Sequence, residues 1–221
     1  MKARALLLSL ALLAGSPQAP AQETEYALEL GVMGGGCFYM GDANYHSLYK
    51  GTHLGGGILA RYNINPRMAL KANIACGGIS GDASNYEYKY PESEDIEWQF
   101  DKSVVDVGVQ YEISFWGYGT GASYKGTKRL APYIQVGIGC TSTSGAFTLN
   151  IPVGFGVKYK FKPRWNVGLD WTMRFTMSDK VDGIADPYNI ESGFFKNKDS
   201  YSFTMLYISY DLCPKYRKCN N

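Results

Sequence analysis

The sequence predicts an all-β chain folded as an eight-stranded antiparallel transmembrane up-and-down β-barrel. Three observations lead there. The N-terminus has the character of a secretory signal, eight segments place apolar residues at every second position, and the other face of those segments mixes glycine with balanced charge. Composition agrees: 18 Tyr and 26 Gly in 221 residues suit strands, membrane interfaces and crowded barrel interiors. Formal net charge is +2, so no basic excess points to nucleic acid. Mean hydropathy is -0.22, and past the N-terminus no stretch approaches the ~18 apolar residues that a membrane-spanning helix needs.

Lys2 and Arg4 supply a positive n-region, and residues 5–14 form an apolar run broken only by Ser9. Ala19-Pro20-Ala21 is a small-x-small cleavage pattern. The expected organisation is therefore a signal peptide over 1–21, cut between Ala21 and Gln22, a barrel over 22–212 and a short periplasmic tail over 213–221. Ser16 stands where a lipoprotein signal would need cysteine, so no lipid anchor is expected at this segment. The 5 Cys have irregular spacing and define no disulfide framework. Cys213 and Cys219 are near each other and outside the predicted strands. They form either one disulfide in an oxidising compartment or two free thiols in the tail.

The strands follow in order. Tyr26 to Val32 alternates with Glu29 inward. Leu54 to Ile64 puts Leu54, Ile58, Ala60, Tyr62 and Ile64 on one face and Arg61 and Asn63 on the other, with Leu59 breaking the pattern. Asn65-Pro66-Arg67 is a tight turn, after which Met68 to Gly78 turns Lys71 and Asn73 inward. Val105 to Phe115 is strict: odd positions are apolar, and even positions are Asp106, Gly108, Gln110, Glu112 and Ser114. Ile134 to Cys140 sends Gln135 and two glycines inward. Ile151 to Phe161 sets Lys158 and Lys160 against a Val/Phe/Tyr face. Lys162-Pro163-Arg164 turns the chain into Trp165 to Phe175, with Asp170 and Arg174 inward. Tyr201 to Leu212 changes the parity of its apolar positions midway, which predicts a β-bulge near Leu206.

A soluble sandwich would also alternate, but its apolar face points inward and its outer face is charged. Here the glycine-bearing face holds Glu29, Arg61, Lys71, Asp106, Glu112, Lys158, Asp170 and Arg174, four acids against four bases. Paired charge of this kind fits the lumen of a narrow barrel, and the Trp- and Phe-bearing face fits outer-membrane lipid. Eight strands leave an interior just wide enough for side chains, so a pore is not predicted.

Connections alternate between long loops and short turns, which places the short turns and both termini in the periplasm. The outer loops are expected at 40–53, 80–102, 141–150 and 177–200. The second holds seven acids against Lys89 and Lys102, whereas the turn side is basic. One turn, residues 117–129, is longer than a minimal barrel needs. Its Tyr118, Tyr124, Lys125, Lys128 and Arg129 are candidates for docking a periplasmic partner; a linker without function is the plainer reading.

Catalysis is not expected. The two histidines, His46 and His53, both fall in the first outer loop; His46 and Ser47 are adjacent and point apart in an extended segment, and no oxyanion donors accompany them. Asp179, Asp182 and Asp186 share a loop with Gly183, but EF-hand spacing is missing, so no metal, cofactor or small-molecule substrate is expected.

Several strings, in order, resemble one family: 25–30 followed by Gly34-Gly35-Gly36, Tyr39-Met40-Gly41-Asp42, Tyr111-Glu112-Ile113-Ser114-Phe115, Pro132-Tyr133, 151–159, 165–171, Ser178-Asp179-Lys180-Val181-Asp182 and Cys213-Pro214-Lys215. The chain is similar over nearly its whole mature length to the small outer-membrane barrels typified by PorG, a component of the type IX secretion system. Lys180 stands where that family usually has an aromatic residue. The resemblance implies a bacterial outer-membrane barrel without catalysis that contacts a periplasmic secretion-ring protein and a lipoprotein. The alternative is a surface barrel acting in adhesion or envelope integrity through its outer loops.

Overall fold

In the computed structural model the described residues are 25–40, 51–82, 99–121, 126–143, 146–177 and 200–215. They form eight strands: β1 (Glu25–Met40), β2 (Thr52–Asn65), β3 (Met68–Asp82), β4 (Gln99–Ser114), β5 (Leu130–Thr143), β6 (Ala146–Lys162), β7 (Trp165–Thr176) and β8 (Ser200–Lys215). Each pairs antiparallel with the next, and β8 pairs with β1, so the sheet closes into a barrel without a free edge. Closure satisfies every strand's backbone groups within the sheet, which a chain in hydrocarbon requires. The strands run 12 to 17 residues, longer than the ~10 that cross a bilayer at a tilt, so they project beyond the apolar band.

Strand alternation sorts the side chains into an inside and an outside. The outside is apolar: Val107, Val109, Ile134, Val136, Phe155, Leu169 and Leu206 are all exposed. A closed belt of this size in water would be an aggregation surface, and only lipid makes it stable. The inside is packed. Leu59, which breaks the pattern of β2, faces the lumen and is buried.

Three strand predictions need correction. No bulge occurs near Leu206: β8 keeps one continuous register with β1 and with β7. Tyr201, Phe203, Met205 and Tyr207 all point inward, so the parity change records an aromatic stretch of lumen rather than a kink. The predicted loop 141–150 is mostly strand, with Thr143 opposite Ala146. Thr141, Thr148 and Asn150 are polar because they face the lumen, not because they lie in a loop. Cys213, expected beyond the last strand, lies in β8 opposite β1, with a left-handed backbone (φ 56°).

Two glycines are required by ring packing. A Cβ on Gly156 would stand 2.5 Å from the Tyr133 hydroxyl, and one on Gly168 would stand 2.5 Å from that of Tyr207. Both also approach backbone carbonyls, so neither clash is relieved by turning a ring alone. Gly168→Ala is expected to cost about 1–3 kcal/mol by overpacking, read as a lower denaturant midpoint for the barrel in lipid vesicles. An unchanged midpoint would show that the Tyr207 ring is loosely held.

Candidate functional site

The lumen is filled in two parts. Toward the loop rim lies an apolar cluster that includes Cys37, Tyr39, Ile79, Val104 and Phe203. From beside this cluster to the short-turn rim runs a set of buried charges. Its ten members, Glu29, Arg61, Lys71, Asp106, Glu112, Lys158, Lys160, Asp170, Arg174 and Asp211, are the buried charged residues among those described, five of each sign. The eight ionisable positions singled out from the sequence all face this interior. The structure adds Lys160 and Asp211 to them as an ion pair.

Arg61 is the hub. Its Nη1 donates to Glu29 at 2.5 Å, its Nε and Nη2 donate to Glu112 at 2.8 and 3.1 Å, and its guanidinium lies 5.1 Å from the Tyr207 ring centre. A bidentate fork on one carboxylate and an end-on bond to a second uses the geometry that only arginine offers. Lys71 donates to Asp170 and Gln135, both at 2.5 Å. Nearer the loops, Arg174 pairs with Asp106 at 2.8 Å, and Asn150 and Tyr201 also donate to that carboxylate. Equal and opposite charge, cross-linked mostly between non-adjacent strands, fills the interior. One cavity within the lumen, lined by Lys71, Asn73, Asp170 and Arg174 among others, is about 10 Å³, room for about one water.

At the short-turn rim, Tyr118 turns into the barrel mouth. Its hydroxyl donates to Asn166 Oδ1 at 2.7 Å, and the ammonium groups of Lys158 and Lys160 lie 4.8 and 5.2 Å from its ring centre. Burial pushes its phenol pKa up, so the group stays a donor. Tyr118 is therefore an anchor of the turn, with its hydroxyl and ring engaged inside the barrel mouth. The described part of the turn is ordered by backbone bonds. Tyr118 N donates to Pro66 O, Lys128 N to Gly117 O and Gly119 N to Lys128 O. Lys128 is exposed and stacks 4.5 Å from the Trp116 ring centre, and exposed Arg129 donates to Thr120 O at 2.8 Å. A cavity of about 60 Å³ opens beside Tyr118, bounded by Lys160, Asp211 and Lys215.

Tyr124, Lys125, Cys219, Ala21 and Gln22 lie outside the described residues, as do His46, Ser47, Asp179, Asp182 and Asp186. Cys213 is an exposed thiol, and its pairing with Cys219 falls outside what is described. Sequence reasoning missed one pair: His53 Nε2 lies 2.9 Å from Ser80 Oγ, across 27 residues of chain. The Ser80 hydroxyl also donates to Gly51 O, and among the described residues no carboxylate orients the imidazole as the third group of a hydrolytic site would. Among the described residues no cluster of ligating side chains could hold a metal ion.

Solved structures share the fold. Neisserial surface protein A aligns with a TM-score of 0.51 at 14% identity, covering 84% of this chain and 97% of that one. The outer membrane protein OprG from Pseudomonas aeruginosa aligns with a TM-score of 0.48 at 11% identity, covering 87% and 100%. Ail, the attachment invasion locus protein of Yersinia pestis, aligns with a TM-score of 0.46 at 12% identity, covering 86% and 100%. At these identities the likeness is one of fold. No curated protein matches the chain. The sequence family is resolved nonetheless: over residues 4–221 the chain matches the model of the domain of unknown function DUF6089, and it belongs to that family.

Proposed function

We propose that this chain is a non-enzymatic bacterial outer-membrane barrel that serves as a docking scaffold for a type IX secretion apparatus, with its short turns in the periplasm. The apolar belt and the likeness in fold to a neisserial surface protein support the location. The filled lumen directs function to the rims, since neither solute nor peptide passes a packed, charge-neutral interior. The turn between β4 and β5 carries the reading. It is longer than the hairpin needs, and its described residues are anchored by Tyr118 and tied to the neighbouring turn through Pro66. Exposed Lys128 and Arg129 are thus presented on a fixed platform, which lowers the ordering cost of binding an acidic partner surface.

The test is charge reversal in the full-length protein. Lys128→Glu with Arg129→Glu should leave a heat-modifiable barrel and lower capture of the periplasmic ring protein and its lipoprotein by about tenfold or more. Full capture by the double variant would remove the docking role. Loss of cell adhesion on shaving the outer loops, with secretion intact, would favour the surface-barrel alternative.

A further inference from the structure

The short-turn rim carries a second basic group: Lys162 at the end of β6, Arg164 in the β6–β7 turn and Lys215 at the end of β8. Arg164 lies over two tyrosine rings, its Cζ 5.2 Å from the Tyr26 ring centre and 4.9 Å from that of Tyr210. Its Nε donates to Asp211 O at 3.3 Å. Among the described residues its two Nη groups make no ion pair and no hydrogen bond. A guanidinium held over two rings, with its Nη groups unclaimed among the described residues, is preorganised for an oxyanion.

The surroundings say which one. Trp165 packs edge-on against Tyr210 at 5.1 Å and lies 6.4 Å from Phe161, and both Trp165 and Phe161 are 39% exposed on the lipid face. Aromatic residues at the end of an apolar belt mark the boundary between hydrocarbon and headgroups. Lys162 is exposed next to this cluster, and Lys215 is held over Tyr62 by the carbonyls of Asn63 and Ile64. Of nearby carboxylates, Asp211 is turned inward onto Lys160 and Asn166, and Glu25 sits opposite Lys215 in the register. The geometry points to a binding site for the phosphate of an anionic glycerophospholipid in the leaflet facing the short turns, with the Arg164 fork on the phosphate oxygens and an acyl chain along Trp165 and Phe161. This inference rests on the reading of the chain as a membrane barrel.

Native mass spectrometry of the full-length protein in detergent micelles, with phosphatidylglycerol and phosphatidylcholine of equal chain length, tests it. The wild type should retain phosphatidylglycerol about fivefold over phosphatidylcholine, the preference expected of one cation at a headgroup. Arg164→Gln should bring the ratio to parity, whereas Arg67→Gln, at another turn of the same rim, should not change it. Soluble glycerol phosphate at matched concentration should not displace the lipid. Parity in the wild type overturns the proposal without reference to any variant. So does an unchanged ratio in Arg164→Gln, an equal loss in Arg67→Gln, or displacement by glycerol phosphate. Failure of the membrane-barrel reading would look different: no heat-modifiable band in phosphatidylcholine vesicles, where Arg164→Gln should insert normally.

Discussion

Replacing Arg61 with Met is expected to destabilise the barrel by about 3–5 kcal/mol, because buried Glu29 would lose its cation and Glu112 its bidentate partner, keeping only Lys71 and Lys158 at 3.7 and 3.8 Å. Arg61 is 0% exposed, and both carboxylates are buried with it, so no solvent screens the loss. Denaturant titration of the barrel refolded into lipid vesicles, followed by tryptophan fluorescence, gives the measurement. The informative control is the triple replacement Glu29→Leu, Arg61→Met and Glu112→Leu, which removes charge and partner together. Apolar substitution of a whole buried ionic group is often neutral or stabilising, so the triple variant should recover most of the loss. If Arg61→Met alone leaves the midpoint unchanged, the lumen admits enough water to hydrate the two carboxylates, and the filled interior inferred above is wrong.

The second large effect is on the other face of the sheet. Val109 lies midway along β4, flanked by Ala72 on β3 and Ile138 on β5, and it faces outward, 42% exposed. Val109→Arg should cost about 2–4 kcal/mol if that face meets the middle of a bilayer. The same substitution on a barrel whose outer face met water would change stability by less than ~0.5 kcal/mol, as ordinary surface replacements do. The denaturant midpoint and the yield of inserted barrel both read this out. A neutral Val109→Arg would contradict the membrane assignment more directly than any loop experiment. Val109→Leu, which keeps the face apolar, should be tolerated.

Much of the molecule was legible in the chain. Strict alternation in Val105 to Phe115 and Ile151 to Phe161 predicted which residues face lipid, because a strand's period of two leaves no choice once one face is assigned. The tight turns at Pro66 and Pro163 join β2 to β3 and β6 to β7. The alternation became ambiguous wherever the lumen itself is apolar. Leu59 in β2 and Tyr201, Phe203, Met205 and Tyr207 in β8 face inward, yet their side chains are of the kind that also faces lipid. Strand ends were underestimated for a related reason. Polar residues such as Thr141 and Asn150 have the same character in a lumen as in a loop, so the true length of β5 and β6 was hidden.

The sequence by itself determined the number of strands, the inside and outside of most of them, and the balance of charge within. Those properties follow from local periodicity and composition, which need no knowledge of neighbours. Only the tertiary structure decided which acid meets which base: Arg61 with Glu112 across 51 residues, Lys71 with Asp170 across 99, and Lys160 with Asp211 across 51. It also decided that Tyr118 turns into the mouth onto Asn166, and that Arg164 lies over the rings of Tyr26 and Tyr210. Such contacts depend on closure of β8 onto β1 and on the register around the ring. Register in turn is set by the packing of all eight strands together, which no single segment of the sequence encodes.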